Sequence, residues 1–317
     1  MTEDPTYYNP MKEIRATDFL RFLSVRKSVQ VEGRQIPLGR KEQIRDWGPP
    51  QEYKEEADTV WSFPDRGDWA THNGHYRGNW SPYIPRNLIK RFTSMSDWVL
   101  DPMMGGGTTL VESRILGRNA IGIDVNLNAV ILARDRLKFR VPSGLGKAPV
   151  QIKTYVGDAR RLNKIGDESI DLVATHPPYG GIIKYGGGLI EGDLSGLSDF
   201  EDYLNAMSRV ASQCYRVLKR NKQCAVLIGD TRRHRHYVPI SHKILNEFIA
   251  VGFVLLEDIV KVQHNTTSNR NQWRGDRQAF YKIAHEHLFV FRKPGSDSER
   301  GKLRLSGSSI TKTQPRG

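Results

Sequence analysis

The feature that most constrains the fold is an alternation, starting near Trp98, of short apolar runs with stretches of amphipathic helical spacing. A parallel sheet covered by helices on both faces has this pattern, because its strands are buried on both sides. The sequence therefore predicts an α/β fold with a doubly wound, mostly parallel sheet. The last two apolar runs predict a closing antiparallel edge. The predicted strands are residues 98–100, 120–123, 154–156, 170–174, 224–228, 254–262 and 287–291.

Three regions of the chain differ in character. Residues 1–60 have weak periodicity, apart from one amphipathic stretch, and are predicted to form a small N-terminal accessory region. Residues 61–293 carry the alternating pattern and form the predicted main domain. Residues 294–317 are rich in Gly, Ser, Lys and Arg, which predicts a basic, disordered tail.

The composition excludes several classes of protein. The 317-residue chain has a formal net charge of +13, and basic clusters within residues 216–236, 261–282 and 292–317 suit a phosphate backbone. Its two cysteines, Cys214 and Cys224, are too few for a disulfide framework or a structural zinc cluster. No run approaches the ~18 apolar residues of a membrane span, and no apolar signal segment opens the chain. We expect a cytoplasmic, nucleoid-associated protein with no metal site and no membrane contact.

A glycine-rich turn follows the first predicted strand and precedes a helix. It reads Asp-Pro-Met-Met-Gly-Gly-Gly-Thr-Thr from Asp101 to Thr109. Glycine permits a tight turn and close approach of a ligand, and a helix N-terminus offers free N–H groups to an anionic group. Asp124 ends the second strand and is placed to accept hydrogen bonds from ribose hydroxyls. These features predict a nucleotide-type cofactor site, and the alternative is a structural turn with a surface aspartate.

Two further strand ends carry candidate site residues. Asp158 and Ala159 end the third strand, where the ends of successive strands line one crevice, so Asp158 is predicted to lie beside the base of the cofactor. A helix cap is the alternative for Asp158. The fourth strand ends in Thr-His-Pro-Pro-Tyr, residues 175–179. Its prolines fix φ and keep their carbonyls as acceptors, so the turn suits a flat, amine-bearing ligand that stacks on Tyr179, and a plain structural kink is the alternative.

With these motifs the chain resembles the S-adenosylmethionine-dependent DNA amino-methyltransferases. The cofactor loop of that family, Asp-Pro-x-x-Gly-x-Gly-Thr-Thr, is matched by residues 101–109. Its Pro-Pro-Tyr catalytic motif is matched by residues 177–179, and residues 79–85 resemble the segment that precedes the cofactor loop. The resemblance covers about residues 75–293. It implies a Rossmann-like methyltransferase sheet, with recognition loops inserted between its elements.

One position departs from the family pattern, because His176 stands where the family has Ser, Asp or Asn. A neutral imidazole nitrogen can accept a hydrogen bond from an amine or take up a proton. Ser is typical of the enzymes that methylate the 4-amino group of cytosine, and Asp or Asn of those that methylate the 6-amino group of adenine. Thr175 matches the Thr-Ser-Pro-Pro-Tyr form of the motif, which favours cytosine.

The resemblance implies direct methyl transfer to a base that is flipped out of double-stranded DNA. Tyr179 would stack on the base, while the Pro177 carbonyl and His176 hold its amine, with Pro178 completing the catalytic turn. The implied cofactor is S-adenosylmethionine. The residues predicted to bind it are Trp80, Asp101, Pro102, Met103, Gly105, Gly107, Thr108, Thr109, Asp124, Val125, Asp158, Ala159 and Thr175.

Polar, basic loops are the candidates for nucleic-acid contact. Amide, Arg and aromatic side chains read base edges, and clustered arginines touch phosphates. The alternative for both groups is an ordinary surface loop. The predicted base readers are Gln263, Asn265, Trp273 and Arg274, and the predicted phosphate contacts are Arg232, Arg233 and Arg235.

Two other functions stay open from the sequence. An RNA base methyltransferase acting on tRNA or rRNA is one, because tRNA guanine enzymes resemble a Pro-Pro-Tyr-Gly pattern and Gly180 follows Tyr179. A catalytically silent nucleic-acid-binding protein is the other, although both motifs are intact. A DNA methyltransferase of this kind implies a cognate restriction nuclease as a partner.

Overall fold

The structure of the protein is a computed structural model. It describes residues 11–31, 33–39, 44–74, 79–143, 149–179, 190–197, 199–234, 236–264 and 281–310, with side chains up to residue 303 in the last range. Within these ranges, no helix is long and apolar enough to cross a lipid bilayer. The helices are α1 Ala16–Val25, α2 Tyr83–Phe92, α3 Thr108–Ile115, α4 Leu127–Arg136, α5 Phe200–Val217, α6 Ile240–Val251 and α7 Asp297–Ile310. The strands are β1 Lys12–Glu13, β2 Ser28–Val31, β3 Arg34–Pro37, β4 Val60–Ser62, β5 Trp98–Asp101, β6 Asn119–Asp124, β7 Ile152–Val156, β8 Ile170–Thr175, β9 Leu218–Gly229, β10 Thr231–Arg233, β11 His236–Val238, β12 Val254–Val262 and β13 His285–Arg292.

A nine-stranded sheet in the order β1-β7-β6-β5-β8-β9-β13-β12-β4 organises the molecule. Strand β5 pairs in parallel with both β6 and β8, and β7 and β9 extend the parallel run on either side. The chain order reverses at β5, so a crevice opens there at the carboxyl ends of the strands. The predicted doubly wound, mostly parallel, Rossmann-like methyltransferase sheet is confirmed.

The antiparallel part of the sheet is formed by β13. It pairs antiparallel with β12, as the sequence predicted, and also with β9. Strand β13 therefore lies inside the sheet, and the outermost strands are β1 and β4. Because β13 runs against its neighbours, its first residues lie at the same edge of the sheet as the ends of the parallel strands.

Residues of the predicted accessory region belong to this same sheet. Strand β1 pairs antiparallel with β7, and the backbone N–H of Ile14 donates to the Thr154 carbonyl at 2.8 Å. Ile14, Phe19 and Val29 are buried in one hydrophobic cluster with residues of α4. The N-terminal region thus covers one end of the sheet rather than standing apart from it.

Helix α5 shows how the sequence dictates packing against the sheet. Asp199 caps the helix by accepting hydrogen bonds from the backbone N–H groups of Glu201 (2.8 Å) and Asp202 (3.1 Å). Each large apolar side chain buried on a helix contributes about 1.5–3 kcal/mol. The interpretation of Cys214 as a core residue, rather than a reactive one, fits its complete burial. The buried stripe includes Tyr203, Met207, Val210, Cys214 and Val217.

The C-terminal residues form helix α7, so the prediction of a disordered tail is wrong over this helix. Glu299 in its first turn binds the guanidinium of Arg292 (2.5 Å) and the backbone N–H of Gly295 (2.7 Å). Arg300 donates to the Val251 carbonyl, at the end of α6, at 3.0 Å. These contacts fix the start of a helix whose composition is polar and basic. Residues 311–317 lie outside the described part of the chain.

Candidate active site

The turn that follows β5 is built around the carboxylate of Asp101, which is 2% exposed. It accepts hydrogen bonds from the hydroxyls of Thr109 (2.5 Å) and Thr175 (3.0 Å) and from the backbone N–H of Met103 (3.2 Å). Burial raises the pKa of Asp101 to about 7, and the two threonine hydroxyls offset part of that rise. Through Thr109, Asp101 ties α3 to the turn, and through Thr175 it ties the end of β8 to the turn.

The carboxylate of Asp124, at the end of β6, holds the glycine turn from the other side. Its Oδ2 accepts a hydrogen bond from the backbone N–H of Gly105 (2.9 Å), and its Oδ1 from that of Asn126 (2.8 Å). Burial raises the pKa of Asp124 to about 6 against the effect of these two hydrogen bonds. The glycine turn and the end of β6 are therefore locked together at the carboxyl edge of the sheet.

Gly107 allows α3 to begin directly against α4. Its φ of +81° lies in the left-handed region, and a Cβ added there would lie 2.8 Å from the Cβ of Ala133. Any other residue would be strained and would clash. Gly107 and Thr108 are both buried in this packing, which fixes the direction in which the helix leaves the turn.

A cleft of about 810 Å³ opens between the glycine turn, the ends of β6 and β7, and the turn that follows β8. Residues of both predicted turns line this one cleft. The predicted site residues among its walls are Trp80, Asp101, Pro102, Met103, Gly105, Asp124, Val125, Asp158, Ala159, His176 and Pro178. The predicted residues outside its walls are Gly107, Thr108, Thr109, Thr175, Pro177 and Tyr179.

Several lining residues were missed by the sequence reasoning. One group includes Asp193, which accepts a hydrogen bond from the backbone N–H of Ser195 (2.9 Å) at the start of a short 3-10 turn. An aspartate that precedes a serine is a common turn signal, but it does not indicate a ligand. The missed residues are Asn79, Met104, Asn126, Gly157, Gly192, Asp193 and Leu194.

Asp158 lines the cleft with its carboxylate already bound to Arg160. The guanidinium donates to Asp158 through Nε (3.0 Å to each oxygen) and Nη2 (2.7 Å), and the Arg160 backbone N–H adds a bond of 2.8 Å. Both side chains are mostly buried. Asp158 therefore lies at the cleft wall and also caps a turn through the Arg160 backbone N–H. The alternative from the sequence was a helix cap, but a turn rather than a helix follows Asp158.

Trp80 lies opposite the catalytic turn. Its ring is stacked with that of His176, with centroids 6.2 Å apart and planes 22° from parallel. Arg66 holds this segment by donating to the backbone carbonyls of Asn79 (2.7 Å) and Trp80 (2.9 Å). The segment that precedes the cofactor loop thus reaches across to the turn that follows β8.

The turn after β8 is fixed by contacts from distant parts of the chain. The hydroxyl of Tyr203, on α5, donates to the Pro178 carbonyl at 2.8 Å. Tyr179 donates its hydroxyl hydrogen to Oε1 of Glu286 at 2.6 Å and lies 3.0 Å from Nε2 of His176. Tyr203 and Glu286 were not predicted as site residues, because both are far from the motif along the chain.

Glu286 is a buried carboxylate at the start of β13. Lys261, on β12, donates to its Oε2 at 2.9 Å. Burial alone would raise the pKa of Glu286. The charge of Lys261, the charge that His176 carries when protonated, and the hydrogen bonds from Tyr179 and Lys261 outweigh burial and lower the pKa to about 2. Glu286 is thus an ionised group placed beside the catalytic turn.

The predicted nucleic-acid contacts fall only partly within the described residues. Arg232 donates to the Tyr281 carbonyl at 3.0 Å and lies over the ring of Tyr237, whereas Arg233 is exposed. Gln263 closes the ends of β12 and β13 through a backbone bond to Ala284. The remaining predicted residues, Arg235, Asn265, Trp273 and Arg274, lie outside the described part of the chain.

Comparison with known proteins agrees with this arrangement. A family model described as DNA methylase matches residues 12–135 and 170–313, which include both turns of the cleft. The chain belongs to this DNA methylase family. This family is one of S-adenosylmethionine-dependent methyltransferases.

Curated relatives of the methylase match only part of their own length. The Type II methyltransferase M.MjaI of Methanocaldococcus jannaschii is 35% identical over 35% of this chain and 41% of its own. The Type II methyltransferase M.MthZI of Methanothermobacter thermautotrophicus is 28% identical, over 32% and 33% respectively. A tRNA (guanine(10)-N2)-dimethyltransferase from the latter species is 30% identical, over 33% and 29%. The chain thus spans less than half the length of these relatives.

Solved structures also resemble the methylase. A protein from Thermus thermophilus complexed with S-adenosyl-L-methionine is 26% identical over 44% of this chain and 54% of its own, with a TM-score of 0.33. A SAM-dependent methyltransferase from Methanosarcina mazei is 15% identical over 66% of this chain and 98% of its own, with a TM-score of 0.44.

Proposed function

We propose that the methylase transfers a methyl group from S-adenosylmethionine to the exocyclic amine of a base flipped out of double-stranded DNA. The observation that carries this proposal is the shared cleft. Residues of the glycine turn and residues of the diproline turn line one cavity of about 810 Å³. A methyl donor and a methyl acceptor bound at these two turns would meet there.

The cleft has the chemistry that S-adenosylmethionine requires. Asp124 is half-buried at the end of the second parallel strand, where a carboxylate can accept hydrogen bonds from ribose hydroxyls. Val125 and Ala159 offer apolar walls for a flat base, and Met103 and Gly105 border the turn. When bound, the cofactor supplies an electrophilic sulfonium methyl group.

The diproline turn is suited to hold the acceptor amine. The Pro178 carbonyl already accepts a hydrogen bond from the hydroxyl of Tyr203. We therefore assign the target amine to the Pro177 carbonyl and to the ring of His176. These acceptors would orient the amine lone pair, and most of the rate acceleration would come from this positioning. Tyr179 would offer its ring face to the flipped base.

The basic hairpin formed by β10 and β11 is placed to contact DNA. It begins two residues beyond Gly229, at the end of β9, and so stands at the same edge of the sheet as the cleft. Its exposed Arg233 and the chain's net charge of +13 favour a phosphate backbone. We favour cytosine as the target base, because Thr175 precedes the catalytic position.

Tritiated methyl transfer, followed by nucleoside analysis of the product, tests this function. Plasmid DNA should be labelled, unmodified tRNA should not, and the labelled nucleoside should be 2′-deoxycytidine methylated on its 4-amino group. The His176→Ala variant should give no label. Labelled adenine would correct the target base alone, while the absence of label from DNA would reject the proposal.

A tRNA substrate is the second candidate. It is favoured by the tRNA (guanine(10)-N2)-dimethyltransferase of M. thermautotrophicus, which is 30% identical over 33% of this chain. In the same assay, label in guanine from tRNA and not in plasmid DNA would establish this alternative. Nucleic-acid binding without label in either substrate would instead show a silent binding protein.

A further inference from the structure

Three neighbouring strands present one cross-strand row of residues beneath the catalytic turn. Lys261 on β12 lies opposite Glu286 on β13, and Glu286 lies opposite Gly229 on β9. A Cβ added to Gly229 would lie 3.0 Å from the hydroxyl oxygen of Tyr179. The glycine therefore leaves room for Tyr179 to reach across β9 and meet Glu286.

The contacts in this row form a chain that ends at His176. Lys261 Nζ is 2.9 Å from Oε2 of Glu286, Oε1 of Glu286 is 2.6 Å from the hydroxyl of Tyr179, and that hydroxyl is 3.0 Å from Nε2 of His176. Glu286 is 7% exposed. A charge buried to this degree is stable only when it is paired and hydrogen-bonded, and Lys261 and Tyr179 meet that need.

The direction of each hydrogen bond follows from the donors available. An ionised carboxylate can only accept, and a phenol has a single hydrogen to give. Tyr179 gives that hydrogen to Glu286, which lies at the shorter distance. In its contact with His176 the phenol oxygen must therefore accept, so Nε2 of His176 carries a hydrogen.

We propose that Glu286 and Lys261 are positioning residues that act through Tyr179 to keep the proton of His176 on Nε2 and its lone pair on Nδ1. Nδ1 is then the nitrogen that accepts a hydrogen bond from the target amine. This inference rests on the proposed function, in which His176 holds that amine. It explains how a histidine serves where the family pattern has a fixed acceptor, because the second hydrogen bond of an imidazole determines its tautomer.

Nitrogen chemical shifts of the ring test this assignment, because they distinguish the two neutral tautomers from the imidazolium. The 317-residue chain is labelled with ¹⁵N-histidine and measured at pH 8, and His176 is assigned by the signals that disappear in His176→Asn. The wild type should show the neutral ring protonated on Nε2. Tyr179→Phe and Glu286→Gln, which remove one oxygen or one charge, should give a mixture of tautomers.

Kinetics supply the second readout. Glu286→Gln should lower kcat for methyl transfer at least about tenfold, while the Kd for S-adenosylmethionine stays within about twofold, since neither Glu286 nor Lys261 lines the cleft. Asp171→Asn is the matched control. Asp171 is also buried and paired with a lysine, Lys219, at 2.9 Å, but it lies near the start of β8, at the far edge of the sheet. Its variant should keep the Nε2 tautomer and the wild-type kcat.

Several outcomes would overturn the inference. A wild-type ring protonated on Nδ1, or an imidazolium at pH 8, would contradict the direction of the hydrogen bonds. A Glu286→Gln variant that keeps both the pure tautomer and the wild-type kcat would show that the ion pair is only structural. Failure of the proposed function would look different, because the wild type would then show the Nε2 tautomer without methylating DNA.

Discussion

The two walls of the cleft are built in different ways. On the cofactor wall, Asp101 and Asp124 are held by threonine hydroxyls and backbone N–H groups. Behind the acceptor wall, which includes His176 and Pro178, Glu286 is held by the ammonium of Lys261 and by Tyr179. The first wall is assembled mainly from residues between 101 and 126, whereas Tyr179 and Glu286 are 107 positions apart.

The difference in partners changes the ionisation of the carboxyl groups. Burial raises the pKa of Asp101 to about 7 and that of Asp124 to about 6, because neutral donors only partly offset it. The pKa of Glu286 is lowered to about 2, because the charge of Lys261, the charge that His176 carries when protonated, and the hydrogen bonds from Tyr179 and Lys261 outweigh burial. The wall to which we assign the cationic sulfonium cofactor thus carries carboxyl groups that these bonds do not pair with a cationic side chain. The carboxylate behind the acceptor wall is instead paired with a lysine.

The sharpest separation of the two walls is expected from His176→Ala. Loss of an acceptor for the target amine should lower kcat for methyl transfer about 10³-fold, in the range of a lost acid–base group. The Kd for S-adenosylmethionine, measured by titration calorimetry, should stay within about twofold. Tyr179→Ala should behave in the same way, and wild-type methyl transfer by both variants would reject the catalytic assignment.

The opposite pattern is expected from Asp124→Ala. Loss of two hydrogen bonds to a carboxylate, together with its bond to the ribose, should weaken S-adenosylmethionine binding about 100-fold. Asp135→Ala, on α4 and outside the cleft, is the control and should bind the cofactor normally. Equal binding by both variants would remove Asp124 from the cofactor wall.

The walls should also respond oppositely to pH. The folded-state pKa of Asp101 is above its ordinary value of 3.8, so its contribution to stability is present below about pH 4 and is lost as the pH rises towards 7. Glu286 stabilises the folded protein above its ordinary pKa of 4.5, and this stabilisation is lost as the pH falls towards 2.

Urea unfolding between pH 4 and 7.5 measures these slopes. In Asp101→Asn, the fall in the free energy of unfolding with rising pH should be smaller than in the wild type. Glu286→Gln should be destabilised relative to the wild type by an amount that is constant above about pH 5.5 and smaller at pH 4. If the free energy of unfolding of Asp101→Asn changes with pH as steeply as that of the wild type, protonation of Asp101 is not the cause of the wild-type slope.

The smallest effect is expected at the basic hairpin formed by β10 and β11. Arg233→Ala should weaken DNA binding of any sequence and reduce the slope of log K against log salt by about 1, as for one lost phosphate contact. Cofactor binding should not change. An Arg233→Ala variant with the wild-type salt slope would show that the hairpin does not contact the DNA backbone.

The cofactor wall could be predicted from the sequence because its contacts are local. A strand, a glycine turn, a helix and an aspartate at the next strand end fix the positions of Asp101, Gly105 and Asp124 within one β-α-β unit. The diproline turn was found for the same reason, since its residues are consecutive.

The acceptor wall could not be predicted because it depends on strand pairing over long distances. Site residues were sought at the ends of strands, but β13 is antiparallel, so its beginning lies at the cleft edge. A signal existed in Glu286, a charged residue at the start of an otherwise apolar strand. Pairing with Lys261 became visible only when the register of β12 and β13 was known. The tail helix was missed because Arg292, Glu299 and Arg300 fix it through contacts that composition does not reveal.

A crystal structure of the methylase with S-adenosylhomocysteine would test most directly whether donor and acceptor meet in one cleft. We expect the ribose hydroxyls to bind Asp124, the adenine to lie between Val125 and Ala159, and the sulfur to be directed at His176. A product molecule whose sulfur faces away from residues 176–179, or one bound outside this cleft, would contradict it.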